Sequence, residues 1–297
     1  MKLGLNLSFA AKRWQDPEEL AELCADFGVH YWQFNLDFID PWWPEEMRNR
    51  LANAYRDAFG KKGLSFESLF NGMAAYSYPQ FLAHSREVRD AIQTYHERAI
   101  DVAMEVGAKH LGIALGGMTH RDAYDPLRRR AIYEETVERL KKLAAYGARK
   151  GLQSIQIEPT PLFTEFPNSI ESSLELMHDL ENVSEIPVQI FLDWGHMLCK
   201  PFMGKQADME LWIRELKSYI GDMHLQQTDG LWDRHWDFRH EEDGIVTPEI
   251  IKGVLHNTGT EDSVQYLELS FAFEDTDENV YEGVKYSVDK LRDIFEE

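Results

Sequence analysis

The sequence is poor in cysteine, in basic residues and in long apolar runs, and each shortage excludes a class of protein. Two cysteines, Cys24 and Cys199, occur in 297 residues, which excludes a disulfide-rich secreted scaffold and makes a reducing, cytoplasmic setting the simpler interpretation. The 31 Lys and Arg against 52 Asp and Glu give a net charge of −21, which opposes general binding to nucleic acid or anionic membranes. No segment approaches the roughly 20 apolar residues that span a bilayer.

A glycine-rich phosphate-binding motif is also absent from the sequence. No GxGxxG follows the first strand-like segment, "KLGLNLSF" at 2–9, which counts modestly against a doubly wound dinucleotide-binding sheet. The same opening stretch has no long apolar run after its charges, so it reads as a strand rather than a signal peptide. The hydrophobic fraction of 43% is enough for a sizeable core.

Strand-like and helix-like segments alternate along the whole sequence. The predicted strands are short and apolar, as strands buried on both faces are, and they cover 2–9, 30–36, 64–70, 110–115, 152–158, 188–193, 220–226 and 264–270. Eight strand–helix units in a chain of this length predict a single-domain (β/α)8 TIM barrel over 1–297, with an open sheet as the alternative. Among the helices, 168–180 is predicted to begin with Asn168 as its N-cap.

Ionisable side chains stand at the ends of the last four predicted strands. Glu158, Asp193, His224 and Glu268 fall there one after another, and in a parallel barrel these strand ends meet at one face. Any one of them alone is typical of a helix cap or a hydrogen-bonded core residue. Their recurrence in apolar contexts, where an unpaired charge is costly, predicts a divalent metal site. The oxygen-rich set suits Mn²⁺ best, with Mg²⁺ or Co²⁺ as alternatives.

Four short motifs carry a resemblance to a known family. They are "IEPTP", "LDWGHM", "MHLQQTDG" and "LELSF", in that order and at the ends of strands five to eight. Together they resemble the xylose isomerase-like TIM barrels, particularly the sugar (phosphate) isomerase/epimerase branch, over nearly the whole chain. The resemblance implies a carbohydrate substrate, and it leaves a homo-oligomer open because relatives are often dimers or tetramers.

The resemblance also implies roles for individual residues. Glu158 and Glu268 are similar to metal ligands that double as the paired acid/bases, and Asp193 and His224 are similar to the other two ligands. His196 corresponds to a substrate-binding histidine.

An arginine after strand seven commonly binds substrate in such enzymes, and Arg239 is preferred here over Arg234. The usual Pro-Gly-x-Gly is replaced by "HEEDGIV" at this point.

The loops that follow the strands supply further candidate contacts. Trp42, in "DFIDPWWPEEM" after strand two, and Tyr76, after strand three, are expected to wall a sugar pocket, with ordinary packing or solvation as the alternative. The loop 229–243 is long and rich in charge and aromatics, and loops of this kind are more often functional than passive. It is expected to cover the site, with His235 in the pocket.

The chemistry of such a site is proton transfer beside a carbonyl. A divalent metal on the carbonyl and neighbouring hydroxyl oxygens stabilises an enediolate, and two carboxylates then exchange protons, which gives isomerisation or epimerisation of a small ketose or ketose phosphate. A metal-dependent decarboxylase or lyase acting on a 3-oxo sugar acid or keto-glycoside is the alternative. A DNA-repair role is opposed by the absence of histidine at the ends of strands one to three and by the acidic charge. A non-catalytic binding barrel would leave the four ligands unexplained.

Overall fold

The computed structural model describes residues 1–295 and shows a closed barrel of eight parallel strands. The last two residues of the domain predicted over 1–297 lie outside the described part. In chain order the strands are β1 (Lys2–Asn6), β2 (Tyr31–Asn35), β3 (Ser65–Phe70), β4 (His110–Ile113), β5 (Ser154–Ile157), β6 (Val188–Asp193), β7 (Ile220–Leu225) and β8 (Val264–Leu267). Because β8 pairs with β1, the TIM barrel prediction is confirmed and the open-sheet alternative is wrong.

Helices follow every strand and form the outer layer. Eight long ones each follow one strand: α1 (Pro17–Phe27), α2 (Glu45–Lys61), α4 (Arg86–Val106), α6 (Pro126–Lys150), α7 (Ile170–Leu180), α10 (Met209–Leu216), α11 (Pro248–Thr258) and α12 (Asp277–Phe295). Four short ones lie at the carboxyl ends of strands: α3 (Gly72–Tyr76), α5 (His120–Tyr124), α8 (Trp194–Leu198) and α9 (Lys200–Met203). Within the described chain, none of these helices has the length and apolar character needed to span a membrane.

Local sequence signals set the ends of the long helices. The Asp16 carboxylate accepts from two backbone amides at the start of α1, and Gly28 and Gly107 end α1 and α4 in the left-handed conformation, which glycine adopts without steric cost. The prediction that Asn168 caps α7 is wrong. Ser169 is the N-cap, because its extended backbone and hydroxyl reach the third amide of the helix in a capping box.

Several strands end earlier than predicted at their carboxyl ends. The first strand stops at Asn6 rather than residue 9, since the Asn6 side chain accepts from the amide of Ser8 and starts a 3-10 turn. The last strand stops at Leu267 rather than residue 270. These early turns direct the following side chains over the mouth of the barrel.

Aromatic rings fill the interior of the barrel beneath its carboxyl end. The Phe191 ring stacks on Tyr266 at 6.5 Å between centroids and contacts Phe70 at 5.7 Å. Phe70 fits because its neighbour on β4 is Gly112, where an added Cβ would lie 2.4 Å from the Phe70 ring. Phe70 and Phe191 in turn contact the His224 ring at 4.7 and 4.3 Å. The rings therefore form an apolar floor below His224.

We predict that Gly112→Ala destabilises the protein by about 1–3 kcal/mol, because the new methyl group overpacks the interior against Phe70. The change is measured as the shift of the urea unfolding midpoint. Gly253→Ala is the matched control, since Gly253 lies within α11 with nothing within 4 Å of an added Cβ, and it should stabilise by about 0.5–1 kcal/mol. Equal unfolding midpoints for Gly112→Ala and the wild type would contradict this account of the interior.

Candidate active site

Four side chains from the last four strands come together at the carboxyl end of the barrel. Glu158 directly follows β5, Asp193 ends β6, His224 lies in β7 and Glu268 directly follows β8. All four are buried, and one ligand atom from each lies within 4.8 Å of the others. Parallel pairing explains the convergence, since it sets equivalent positions of adjacent strands at the same height, as with Asp193 and His224. We call these four residues the carboxylate cluster.

His224 presents a nitrogen without a proton to the three carboxylates. Its Nε2 donates to Oε1 of Gln33 at 2.7 Å, and this amide oxygen can only accept. The lone pair of Nδ1 therefore faces Oε1 of Glu158 at 2.9 Å, Oε2 of Glu268 at 3.0 Å and Oδ2 of Asp193 at 3.9 Å. All four atoms are acceptors that point toward one small region.

This donor set fits a divalent metal ion. Among the described residues, Oδ2 of Asp193 and Oε2 of Glu268 are buried without a hydrogen-bond partner, which is costly for a carboxylate unless a cation is present. Three carboxylates and one imidazole are ligands that hard and borderline divalent cations accept. The carboxylate cluster could therefore hold one such ion.

Burial controls the ionisation of the cluster. It raises the pKa of Glu158 and of Asp193. It also raises the pKa of Glu268 to about 7, with His224 and His235 opposing the shift and the other two carboxylates adding to it. Burial lowers the pKa of His224, in agreement with a neutral ring whose Nδ1 is free to bind a cation.

Gln226, two residues after His224, connects the cluster to the loop that follows β7. Its Nε2 donates to Oδ1 of Asp193 at 2.9 Å and to Oδ1 of Asp233 at 2.8 Å. The amide lies against Gly195, where an added Cβ would be 2.3 Å away. The glycine of the "DWGH" motif is therefore explained by the close approach of the Gln226 side chain.

Tyr76 reaches the cluster from α3, because its hydroxyl donates to Oε2 of Glu158. The short helix is held by Asp37, whose carboxylate accepts from the amides of Met73 and Ala74 at 2.9 Å each. The loop after β2 thus positions the helix after β3, and that helix places Tyr76 over Glu158. The structure therefore places Tyr76 beside the carboxylate cluster, and its contact with a sugar stays a prediction.

His196 and His235 also lie beside the cluster, and both contact Asp233. The three form a second group of metal-competent side chains, with ligand atoms within 4.8 Å of one another. Two other expected contacts are not brought together with these residues. Arg239 donates to Asp237 at 2.8 Å and to Asn279 of α12 at 2.8 Å.

Trp42 lines a different cavity from the carboxylate cluster. It packs beside Tyr95 and under Arg98, whose guanidinium carbon lies 5.2 Å from the Trp42 ring centroid. The residues around this cavity include Asp37, Asp40 and Tyr78 and none of the four cluster residues.

Three further residues beside the cluster were not predicted from the sequence: Gln33 and Gln226, which contact His224 and Asp193, and Asp233, which contacts Gln226. Side chains alternate between the two faces of a strand. Applied to "YWQFN" and "MHLQQ", this alternation places Gln33 and Gln226 on the side that faces the barrel interior. Asp233 lies in a loop, where no periodicity applies. Its only signal was the spacing "DRH", with His235 two residues on.

Comparisons with known proteins agree with the barrel fold. The sequence model of the family described as xylose isomerase-like TIM barrel matches residues 15–287. A solved structure from Rhodospirillum rubrum ATCC 11170, described as a putative xylose isomerase, is 41% identical and superposes with a TM-score of 0.96 over 99% of each chain.

More distant relatives have stated activities. The D-erythrulose 1-phosphate 3-epimerase of Brucella abortus (strain 2308) is 24% identical over 91% of this chain and 88% of its own length. The D-psicose 3-epimerase of Clostridium cellulolyticum H10 shares the fold, with a TM-score of 0.74 and 14% identity over 99% of each chain.

We predict that the metal-free protein loses stability relative to Glu268→Gln as the pH rises from about 4.5 to 7. The folded pKa of Glu268, about 7, exceeds its ordinary value of 4.5, so the unfolded chain releases the proton first and the folded state is penalised by up to about 1.4 kcal/mol for each pH unit. The measurement is urea unfolding in EDTA at pH 5 and pH 7.5. Glu67→Gln is the control, because Glu67 pairs with Lys109 at 2.6 Å and is not part of the carboxylate cluster. Parallel pH profiles for the wild type and Glu268→Gln would refute the assignment.

Proposed function

We propose that this chain, which belongs to the xylose isomerase-like TIM barrel family, is a divalent-metal-dependent epimerase or isomerase of a small ketose or ketose phosphate. Two relatives support the substrate class: one is named a D-erythrulose 1-phosphate 3-epimerase and another an L-ribulose 3-epimerase. Both names describe inversion of configuration at carbon 3 of a ketose. The alignment with the D-erythrulose 1-phosphate 3-epimerase covers 91% of this chain and 88% of the relative. The similarity therefore extends over most of the barrel.

The observation that carries the proposal is the placement of two carboxylates around one cation-binding region. Glu158 and Glu268 follow β5 and β8, which are separated by two strands around the closed barrel. They approach Nδ1 of His224 from different walls, at 2.9 and 3.0 Å. A sugar bound between them would have one carboxylate on each face of the reacting carbon, which is what inversion by two bases requires.

The residues of the site have separate roles in the proposed reaction. The carboxylate cluster would hold the metal, which when bound withdraws electron density from the substrate's carbonyl and hydroxyl oxygens and so acidifies the neighbouring C–H. Glu158 removes the proton from one face, and Glu268 supplies one to the other. Tyr76, by donating to Glu158, fixes the orientation of that base, and burial keeps water from competing for the proton.

We place the substrate oxygens near His196 and His235, which lie beside the cluster. Arg239 and Trp42 are left out of this site, because the first is engaged with Asp237 and Asn279 and the second lines a neighbouring cavity. Of the metals in question, Mn²⁺ is the first choice for an oxygen-rich site with one imidazole, ahead of Mg²⁺ and Co²⁺.

The activity is tested by proton NMR in D2O with the Mg²⁺-loaded enzyme, which avoids paramagnetic broadening. The substrates are D-erythrulose 1-phosphate, L-ribulose and D-fructose, with 3-oxo sugar acids as a comparison. We expect deuterium at a carbon beside the carbonyl of at least one ketose, together with its epimer or aldose isomer and an unchanged carbon count. Release of CO2 from the oxo acids without exchange in any ketose would refute the proposal and indicate a lyase.

The glutamine variants test the two bases separately. Glu158→Gln and Glu268→Gln keep an oxygen ligand but cannot transfer the proton, so we expect each to lower epimerisation by at least a hundredfold. Each variant should retain deuterium exchange on only one of the two epimers, and the two variants should differ in which one. Glu67→Gln, remote from the cluster, should be as active as the wild type. Epimerisation by Glu268→Gln at the wild-type rate would exclude a two-base mechanism.

A further inference from the structure

A second cavity lies beside the mouth of the barrel, between the loop after β2 and the helices α3 and α4. Its volume is about 320 Å³, which is within the range of pockets that bind small molecules. We call it the tryptophan cavity, because Trp42 and Trp43 are among the residues that line it. Ala74 of α3 also lines it, whereas the Tyr76 hydroxyl of the same helix donates to Glu158. The tryptophan cavity is therefore separate from the proposed substrate site.

A buried amide side chain without a hydrogen-bond partner belongs to this cavity. Asn71 directly follows β3, is 1% exposed and is one of the lining residues. Within the described chain, neither Oδ1 nor Nδ2 of Asn71 has a partner. A buried amide that is left unpaired is costly. Its position therefore indicates a ligand group that both donates and accepts a hydrogen bond, as a hydroxyl does.

Two carboxylates line the cavity without a basic neighbour. They belong to Asp37 and Asp40, and none of the described residues that line the cavity is Lys, Arg or His. The Asp37 carboxylate accepts from the amides of Met73 and Ala74. Oδ1 of Asp40 accepts from the amide of Trp42 at 2.8 Å. These amides orient the two carboxylates but do not neutralise their charge, so the cavity favours a cationic ligand.

Aromatic rings form much of the remaining wall. The Trp42 ring is already engaged by Arg98, whose guanidinium carbon lies 5.2 Å from the ring centroid. Trp43, Tyr78 and Tyr95 also line the cavity, and the faces of such rings attract organic ammonium ions through the ring quadrupole. Rings beside carboxylates suit an organic ammonium ion better than a bare metal ion, because a metal ion takes oxygen, nitrogen or sulfur ligands.

We propose that the tryptophan cavity binds a small organic ammonium ion that carries a hydroxyl group. The ammonium group lies between the Asp37 and Asp40 carboxylates and the aromatic rings, and the hydroxyl pairs with the Asn71 amide. A neutral sugar would leave the charge of the two carboxylates uncompensated. Binding at this site does not depend on the proposed epimerase activity.

Calorimetric titration with choline tests the class of ligand. Choline has a quaternary ammonium and a hydroxyl, and 3,3-dimethyl-1-butanol has the same shape without the charge. We expect one choline per chain and binding of the neutral compound that is weaker by at least about tenfold, because it is not attracted to the carboxylates and rings. Mg²⁺ is present in excess, so that the carboxylate cluster does not attract the ammonium ion.

Two variants test the location of the site. Asp40→Asn keeps an oxygen for the Trp42 amide but removes the charge, and we expect it to weaken choline binding about tenfold. Trp43→Leu, at a side chain that is 36% exposed, should weaken binding about fivefold through loss of the ring. Asp57→Asn is the matched control, since Asp57 pairs with Arg56 at 3.2 Å and does not line the cavity. It should bind choline as the wild type does.

Three results would overturn the proposal. No binding of choline at millimolar concentrations, or equal affinity for choline and 3,3-dimethyl-1-butanol, would exclude recognition of an ammonium ion. Wild-type affinity in both Asp40→Asn and Trp43→Leu would place choline elsewhere. Circular dichroism melting confirms that each variant is folded, and either variant alone suffices if the other does not fold. Because no sugar is used, each result is distinguishable from failure of the proposed epimerase activity.

Discussion

The structure depends on the meeting of four hydrogen-bond acceptors inside the barrel. His224 Nδ1 and oxygens of Glu158, Asp193 and Glu268 face one another in a buried space, and an uncompensated group of this kind would repel itself. A bound cation would offset this repulsion, so the feature that opposes folding of the metal-free chain also makes the carboxylate cluster able to hold a metal ion. The surrounding residues act to keep these four atoms in place rather than to neutralise them.

Three layers of contacts hold the cluster. Below it, the rings of Phe70 and Phe191 pack against His224. Beside it, Gln33 accepts the Nε2 proton and so fixes which nitrogen is free. Above it, α3 brings the Tyr76 hydroxyl to Glu158. Each layer comes from a different part of the chain, and the closed barrel brings them to one end because every strand runs in the same direction.

The carboxylate cluster and the neighbouring group of His196, Asp233 and His235 differ in burial and in chemistry. The carboxylate cluster is buried and rich in oxygen, which is a donor set that hard divalent cations accept. The neighbouring group is richer in nitrogen and lies at the mouth of the barrel, with Asp233 exposed. Gln226 joins them through hydrogen bonds to Asp193 and Asp233. A small polar substrate bound between the groups would contact both.

The sequence by itself determined the eight alternating units and the four ionisable side chains at the ends of β5 to β8, because periodicity and strand-end position are local properties. It also indicated Tyr76 and the loop containing His235. The tertiary structure decided which loop residues reach the site. Arg239 lies near His235 in sequence, yet its guanidinium turns to α12 while Asp233 turns inward. Those directions depend on contacts between distant segments and on a left-handed backbone at His235, and no local pattern encodes them.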